Sequence, residues 1–476
     1  MHRMAERGIL PLIENHLRWF VDRAPIRRHS PVDSAMWMSS LDLRTGQPVW
    51  TTDRPPGVSK RCYRLIESPG GSNAYWDAPL MAACGAMSAA TGDSVFAESA
   101  DAYARDFLAR CVAPSGLFLW GNHYYIDARL GTVVKFYGHE EHAFPIDPAT
   151  ENGDYHETRP LSVPWDLFWR IDAARTEATL RAQASMHVLD PATGEFNRHA
   201  DRKSEHAFLE AGGILAEGLC WLGRQVRDHS LRDVATCVAS FSFNHRDLQT
   251  GLLSNSPMLD RWDMHQCTSE IGMWAGCMFR CHERSGERPF ATMAAEALRA
   301  WLDHAWDPES RRYFGKLRLI DGKPLLGDKI TEYQPGDYCD IWEPLFPAHD
   351  YPLQTAEACL AAWKFTDDRA FREAVFRWIA IIEQSLPARD GRGGYAEHYG
   401  RVIWFLLSAA EVLEEKRPRE LARRVASEAV AMLQHGDRFR THPGEDRCDA
   451  VDGMGFLIFA LLKLIGLSPD TAGMGW

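Results

Sequence analysis

The chain has 476 residues, 45% of them hydrophobic and 25% charged, a composition that supplies a large core and excludes disorder as the default state. Its 65 acidic residues outnumber 53 basic ones, and the net charge of −12 excludes a protein that grips nucleic acid through a general basic surface. A few arginines placed together still suffice to make a positive pocket for an acidic ligand.

The first periodic segment predicts a helix over Leu10–Val21. The opening MHRMAERGILPLIENHLRWF has charges too frequent for a secretory h-region, and no later stretch, GMGFLIFALLKLIGL included, reaches membrane-span length. The 11 cysteines are scattered, and Cys84, Cys220 and Cys277 fall in apolar helical runs that suit buried thiols. These features lead to the expectation of a cytoplasmic protein with no membrane partner.

After a Pro- and Gly-rich connector, YWDAPLMAACGAMSAATGD and SVFAESADAYARDFLARCV predict a helical hairpin. PSGLFLWGNHYYIDARLGT is non-helical, and a helix is predicted to begin near Pro164, a residue suited to a first turn. Nine further helical segments follow, from HAFLEAGGILAEGLCWLGRQV to VDGMGFLIFALLKLIG. Strand signals are short, in FLWGNHYY and RYFGKLRLIDGKPL. The predicted fold is therefore all-α: an α/α toroid, an incomplete or full barrel of helical hairpins, with short β-like loop segments. Residues 1–476 are read as one domain, with 1–60 as an N-terminal helix and wrapping connector.

Three inter-helix segments share their punctuation: VLDPATGEFNRH, WDPESRRYFGKLRLIDGKP and GDRFRTHPGEDRCD. Each has a turn-forming residue, then Phe or Tyr, then basic residues. In a toroid, such loops bring polar side chains to one end of a central cavity.

The densest chemistry lies between Trp120 and Asp201. His123, Glu157 and His199 sit on separate segments and offer the imidazole and carboxylate donors that suit a divalent cation. A backbone-bonded His123 and a helix-capping Glu157 explain the same residues. Tyr124, Tyr125, Arg159 and Arg198 lie beside them, and guanidinium groups bind carboxylates bidentately. Further polar and aromatic residues suited to a carbohydrate are Arg261, Trp262 and His265, then Tyr333, Tyr338 and Trp342, then His398, Arg440 and His442. Turn anchoring and core packing account equally for many of these. Trp76, Trp120 and Trp165 are additional candidate sugar platforms, and Trp169, Trp221 and Trp274 are read as core. No GxSxG elbow, P-loop or strand-linked GxGxxG is present.

HETRPLSVPWDLFWR and FNRH resemble the metal-binding and arginine-bearing segments of the family 2 pectate lyases, with the likeness best over about residues 110–210. That resemblance implies an intracellular α/α-barrel enzyme that cleaves polygalacturonate by β-elimination. It implies that His123, Glu157 and His199 bind a catalytic divalent metal, commonly Mn2+, and that Arg198 is the adjacent catalytic arginine. The family's second arginine, the Brønsted base, has two candidates here, Arg261 and Arg312. The acidic HEEHAFPIDPATENGD before Glu157 departs from the family pattern. The partner implied is an acidic carbohydrate. Alternatives are an inverting glycoside hydrolase on the same toroid, a sugar isomerase or epimerase, and a non-enzymatic helical binding or scaffold protein.

Overall fold

The computed structural model describes residues 2–50, 70–121, 123–137, 139–158, 163–258, 264–327, 336–342, 351–386, 393–450 and 453–467. Helices dominate, in the order α1 (His2–Arg23), α2 (Ala74–Thr91), α3 (Val95–Arg110), α4 (Trp165–Ile171) and α5 (Ala173–His187). Then come α6 (Leu209–Val226), α7 (His229–Asn244), α8 (Thr268–Ser285), α9 (Arg288–Ala305), α10 (Leu353–Thr366) and α11 (Arg369–Gln384). The chain closes with α12 (Ala396–Val412), α13 (Lys416–Leu433) and α14 (Met454–Leu464). Each segment that the periodicity marks as helical is a helix. No helix among the described residues is long and apolar enough to cross a membrane.

Backbone contacts divide the chain into two compact units. The first comprises residues 1–152, 162–176 and 385–474. In it α2 packs on α3 and α14, and α14 on α12, which also packs on α13. Asn73 caps α2 by accepting the Tyr75 N–H at 3.1 Å, and Gly92 ends it in the left-handed region at φ 76°. Helix α12 buries most of its circumference, as a helix with neighbours on several sides must.

A four-stranded antiparallel sheet in this unit runs Gly71–Ser72, Tyr124–Asp127, Thr132–Tyr137, His139–Pro145. The strand signal assigned to FLWGNHYY thus lies later in the chain, because Phe118 and Trp120 are spent on an aromatic cluster with Phe107, Trp165 and Phe168. Trp120 and Trp165 are core residues for that reason, not open sugar platforms, and Trp76 is buried as well. The two tryptophans Trp221 and Trp274 of the second unit are core as expected, whereas Trp169 is only half-buried.

The second unit comprises residues 153–161, 177–384 and 475–476. Helices α6, α8 and α10 pack side by side, and each pairs with the helix that follows it, α7, α9 or α11. In α11 the buried residues Phe371, Val375, Trp378, Ile379 and Ile382 recur at helical spacing, leaving an exposed polar face. Gly272 permits the close approach of α8 and α10: a Cβ there would meet the Thr355 backbone nitrogen at 2.4 Å.

One turn recurs where these hairpins end. In Asp190–Gly194, Asp247–Gly251 and Asp307–Arg311 the fifth residue donates its N–H to the Asp carbonyl at 2.8 to 2.9 Å. The Asp side chain accepts from the N–H two residues on, at Ala192, Gln249 and Glu309. The chain then returns as a short antiparallel arm and leads to the next helix of the packed row. Both VLDPATGEFNRH and WDPESRRYFG are such turns, and HRDLQTGLLSN is one that the punctuation did not single out.

Candidate functional site

The first of these arms, in the second unit, builds the most chemically loaded region. Asn197 organises it: its amide donates to Asp201 Oδ1 and to the Lys203 carbonyl, both at 2.8 Å, while its Oδ1 accepts the His199 N–H at 3.1 Å. Arg198 and His199 are thereby presented on a fixed loop. Residues 157 and 199 form an antiparallel bridge, and the Thr158 N–H donates to the Arg198 carbonyl at 3.2 Å.

Glu157 is buried, with Oε1 3.3 Å from His199 Nε2 and 3.6 Å from Arg198 Nε. Burying a carboxylate demands nearby positive charge or strong donors. Arg198 lays its guanidinium over the Phe208 ring, 4.7 Å from the centroid. Among the described residues that guanidinium donates no hydrogen bond, although its side chain is only 20% exposed. Three other arginines with little exposed side chain each hydrogen-bond a carboxylate. Arg280 and Arg284 both bind Glu217, at 2.9 and 2.8 Å, and Arg401 binds Glu397 at 3.0 Å.

Behind Glu157 lies a buried histidine pair. His187 Nδ1 meets the Asn197 carbonyl at 2.8 Å, and a carbonyl only accepts, so His187 holds its proton on Nδ1. Its Nε2 then accepts from His156 Nδ1 at 2.8 Å. Burial pushes His187 down to about 4, against the opposing pull of the Asn197 carbonyl. Burial, reinforced by His187, holds His156 well below the ordinary imidazole range. Two neutral imidazoles therefore brace the Glu157 segment without adding charge.

His123 belongs to the first unit, immediately before the strand Tyr124–Asp127, and is half-buried. Tyr124 and Tyr125 are buried on that strand; Tyr124 Oη donates to Glu151 at 3.1 Å, where Lys135 also binds. Trp342 and His265 are buried in the second unit. Tyr338 donates to Asp307 at 2.8 Å. The Arg312 guanidinium stacks on Tyr338 and donates to the Cys339 carbonyl at 3.2 Å, an exposed arrangement that has no contact with Arg198 among the described residues.

His398 and His442 are buried in the first unit, each against Tyr395, with ring centroids at 5.7 and 4.5 Å. Arg440 is half-buried and directed to Asp446 and the Met432 carbonyl. Arg159, Arg261, Trp262 and Tyr333 lie outside the described residues. Sequence reasoning passed over Asn197, His187 and Phe208. Asn197 stood within the FNRH signature, but the other two reach the site only through tertiary packing.

Residues 72–209 match the model of a family described as periplasmic pectate lyase, and no curated protein matches. An inactive variant of the α-1,6-mannanase GH76A of Salegentibacter sp. HEL1_6, in complex with α-1,6-mannotetrose, is structurally similar at a TM-score of 0.50 and 9% identity, covering 97% of this chain and 99% of that one. A family 76 glycoside hydrolase from a bovine Bacteroides thetaiotaomicron strain gives 0.49 at 9% identity, over 97% and 78%. Cellobiose 2-epimerase from Bacillus thermoamylovorans B4167 gives 0.47 at 11%, over 81% and 88%.

The fold is an α/α toroid, as the likeness to the α-1,6-mannanase shows. The family match also corrects the expectation of a cytoplasmic protein and points to a periplasmic or extracellular location. Scattered thiols were weak evidence for a reducing compartment. Cys84, Cys111, Cys277 and Cys359 are buried thiols whose ionisation burial pushes far up, which makes them poor thiolates in any compartment.

Proposed function

We propose that this chain is a metal-assisted lyase that cleaves a uronic-acid-containing polysaccharide or oligosaccharide by β-elimination. The observation that carries the reading is Arg198: a guanidinium fixed on Phe208, next to the buried Glu157, with its hydrogen-bonding donors uncommitted among the described residues. Such a group fits a substrate carboxylate, which accepts two parallel N–H bonds from it. The likeness of residues 72–209 to periplasmic pectate lyases supports the same reaction class.

Glu157 and His199, with His123 as the third ligand implied by the pectate lyase resemblance, would hold the divalent cation, Mn2+ in the first instance. One carboxylate with imidazoles suits such an ion, and the cation would offset the buried charge of Glu157. When bound, the cation supplies Lewis-acid stabilisation of the charge that develops on the uronate carboxylate. Arg198 orients that carboxylate and shares its charge. A base then removes the C5 proton, the C4–O bond breaks with its electron pair leaving on oxygen, and a proton restores the hydroxyl of the departing sugar. The products are a 4,5-unsaturated uronide and a chain with a new end. The base is assigned to Arg261, because Arg312 commits its guanidinium to Tyr338 and Cys339.

The test is incubation with polygalacturonate and related uronides, with and without Mn2+, following the ultraviolet absorbance of the unsaturated product. A metal-dependent rise abolished in Arg198→Ala supports elimination. New reducing ends without unsaturated product would overturn it in favour of hydrolysis.

A further inference from the structure

The arm that precedes α8 begins one hydrogen bond from the Arg198 platform. Leu209, next to Phe208, donates its N–H to the Asn255 carbonyl at 2.8 Å. Asn255 Oδ1 in turn accepts the Cys267 N–H at 2.8 Å, and Thr355 Oγ1 donates to the Thr268 carbonyl at 2.6 Å. These bonds sew the starts of α6, α8 and α10 into one seam within the second unit.

Along it stand four neutral polar side chains, each at least 96% buried: Asn255, Ser256, Gln266 and Gln354. Among the described residues, Asn255 Nδ2, Ser256 Oγ and both amide atoms of Gln266 and Gln354 have no hydrogen-bond partner. Each such group costs about 1–3 kcal/mol when left unsatisfied, so a fold that gathers four of them is built to satisfy them from outside its own side chains. An amide presents a donor and an acceptor together, which is the complement of a hydroxyl group. It is a poor match for a carboxylate, which only accepts. The charges at the seam reinforce this: Glu210 and Glu270 are buried in the first turns of α6 and α8, against one buried lysine, Lys316, among the described residues.

We propose that this seam is a subsite for a neutral sugar residue adjoining the uronate at Arg198, so that the substrate is a heteroglycan in which uronic acid and neutral sugars alternate. The proposal rests on the uronide reading above for the identity of the neighbouring residue, and on the amides alone for the neutral one.

Stopped-flow tryptophan fluorescence of the manganese-loaded protein reads binding before turnover. The probes are tetragalacturonate, a tetrasaccharide alternating galacturonate with rhamnose, and neutral cellotetraose. The alternating probe is expected to bind more tightly than tetragalacturonate. Gln354→Leu and Ser256→Ala should each weaken it about tenfold, the loss of roughly one hydrogen bond to a sugar hydroxyl, and weaken tetragalacturonate clearly less, so that the preference between the two acidic probes shrinks. Thermal unfolding checks that both variants fold. Equal binding of both acidic probes, unmoved by either substitution, would overturn the subsite and make the amides purely structural. Selective binding of the alternating or neutral probe, with no unsaturated product from any uronide, would keep the subsite and remove the elimination reading. No binding of any probe would sink both.

Discussion

Arg198 stands between an aromatic face and a buried acid: its guanidinium lies 4.7 Å from the Phe208 centroid and its Nε 3.6 Å from Glu157 Oε1. The ring restricts where the planar group points, and the carboxylate holds its charge in place without taking up its hydrogen bonds. A rigid, positively charged fork results, the element that a mobile uronate needs for orientation.

Arg198→Lys keeps the charge but loses the fork and the stacked plane. Product formation is expected to fall about 100-fold or more, with Arg198→Ala no less severe. Phe208→Leu should raise KM more than it lowers kcat, since it loosens the arginine without removing it. Steady-state kinetics on the active uronide checks both, and an Arg198→Lys enzyme with unaltered kcat/KM would remove Arg198 from the site.

Glu157 is the acid whose neutralisation should cost cation binding. A ligand that binds only the folded state stabilises it by about 2.7 kcal/mol at a concentration 100 times its dissociation constant. Manganese should accordingly raise the melting temperature of the wild-type chain, and chelator should reverse the shift. Glu157→Gln and His199→Ala should unfold at a temperature indifferent to manganese. A Glu157→Gln protein that keeps the full shift would place the ion elsewhere.

Much of this was legible in the chain itself. Helical periodicity located the long helices other than α5, because an element that buries one face must repeat its apolar residues; α5, built largely of Ala, Thr and charged residues, carries too weak an apolar stripe to be singled out. The loop chemistry was readable where it was local: the FNRH run delivers Asn197, Arg198 and His199 from consecutive positions on one turn. What could not be read was pairing across distance. Nothing near Arg198 in sequence says that Phe208 will lie under it or that His187 will brace His156. Nor does a Trp announce whether it faces solvent, and Trp120 and Trp165 are consumed by a core of five aromatic rings whose members come from three segments.

Asp77 should make stability depend on pH. Burial raises its carboxyl to about 7 from an ordinary 3.8, with the Asp449 charge adding to the rise and hydrogen bonds from Tyr103 and Ser72 opposing it. The folded state therefore holds this proton more tightly than the unfolded one. The stabilisation is complete below about pH 4 and is lost as pH climbs through about 7, a span worth at most about 4 kcal/mol. Asp77→Asn should remove that slope, raising the melting temperature at pH 8 and leaving it nearly unchanged at pH 4. Parallel pH profiles for the two proteins would show that Asp77 is not the group.

The recurring Asp turn offers a stability test free of the active site. Its fifth residue needs a left-handed backbone: Gly194 has φ 79°, Gly251 φ 76°, and Arg311 occupies the equivalent place at φ 56°. A residue with a Cβ sits there at a cost of about 1–2 kcal/mol, so Arg311→Gly should stabilise the chain by up to about 1 kcal/mol once the extra freedom of unfolded glycine is subtracted. Gly194→Ala should do the opposite and more strongly, because its Cβ would fall 2.0 Å from the Cys237 carbonyl oxygen in addition to the backbone strain. Denaturant unfolding of the two variants reads both signs. A Gly194→Ala chain as stable as the wild type would mean that the arm carrying Arg198 and His199 does not pack on α7 as described.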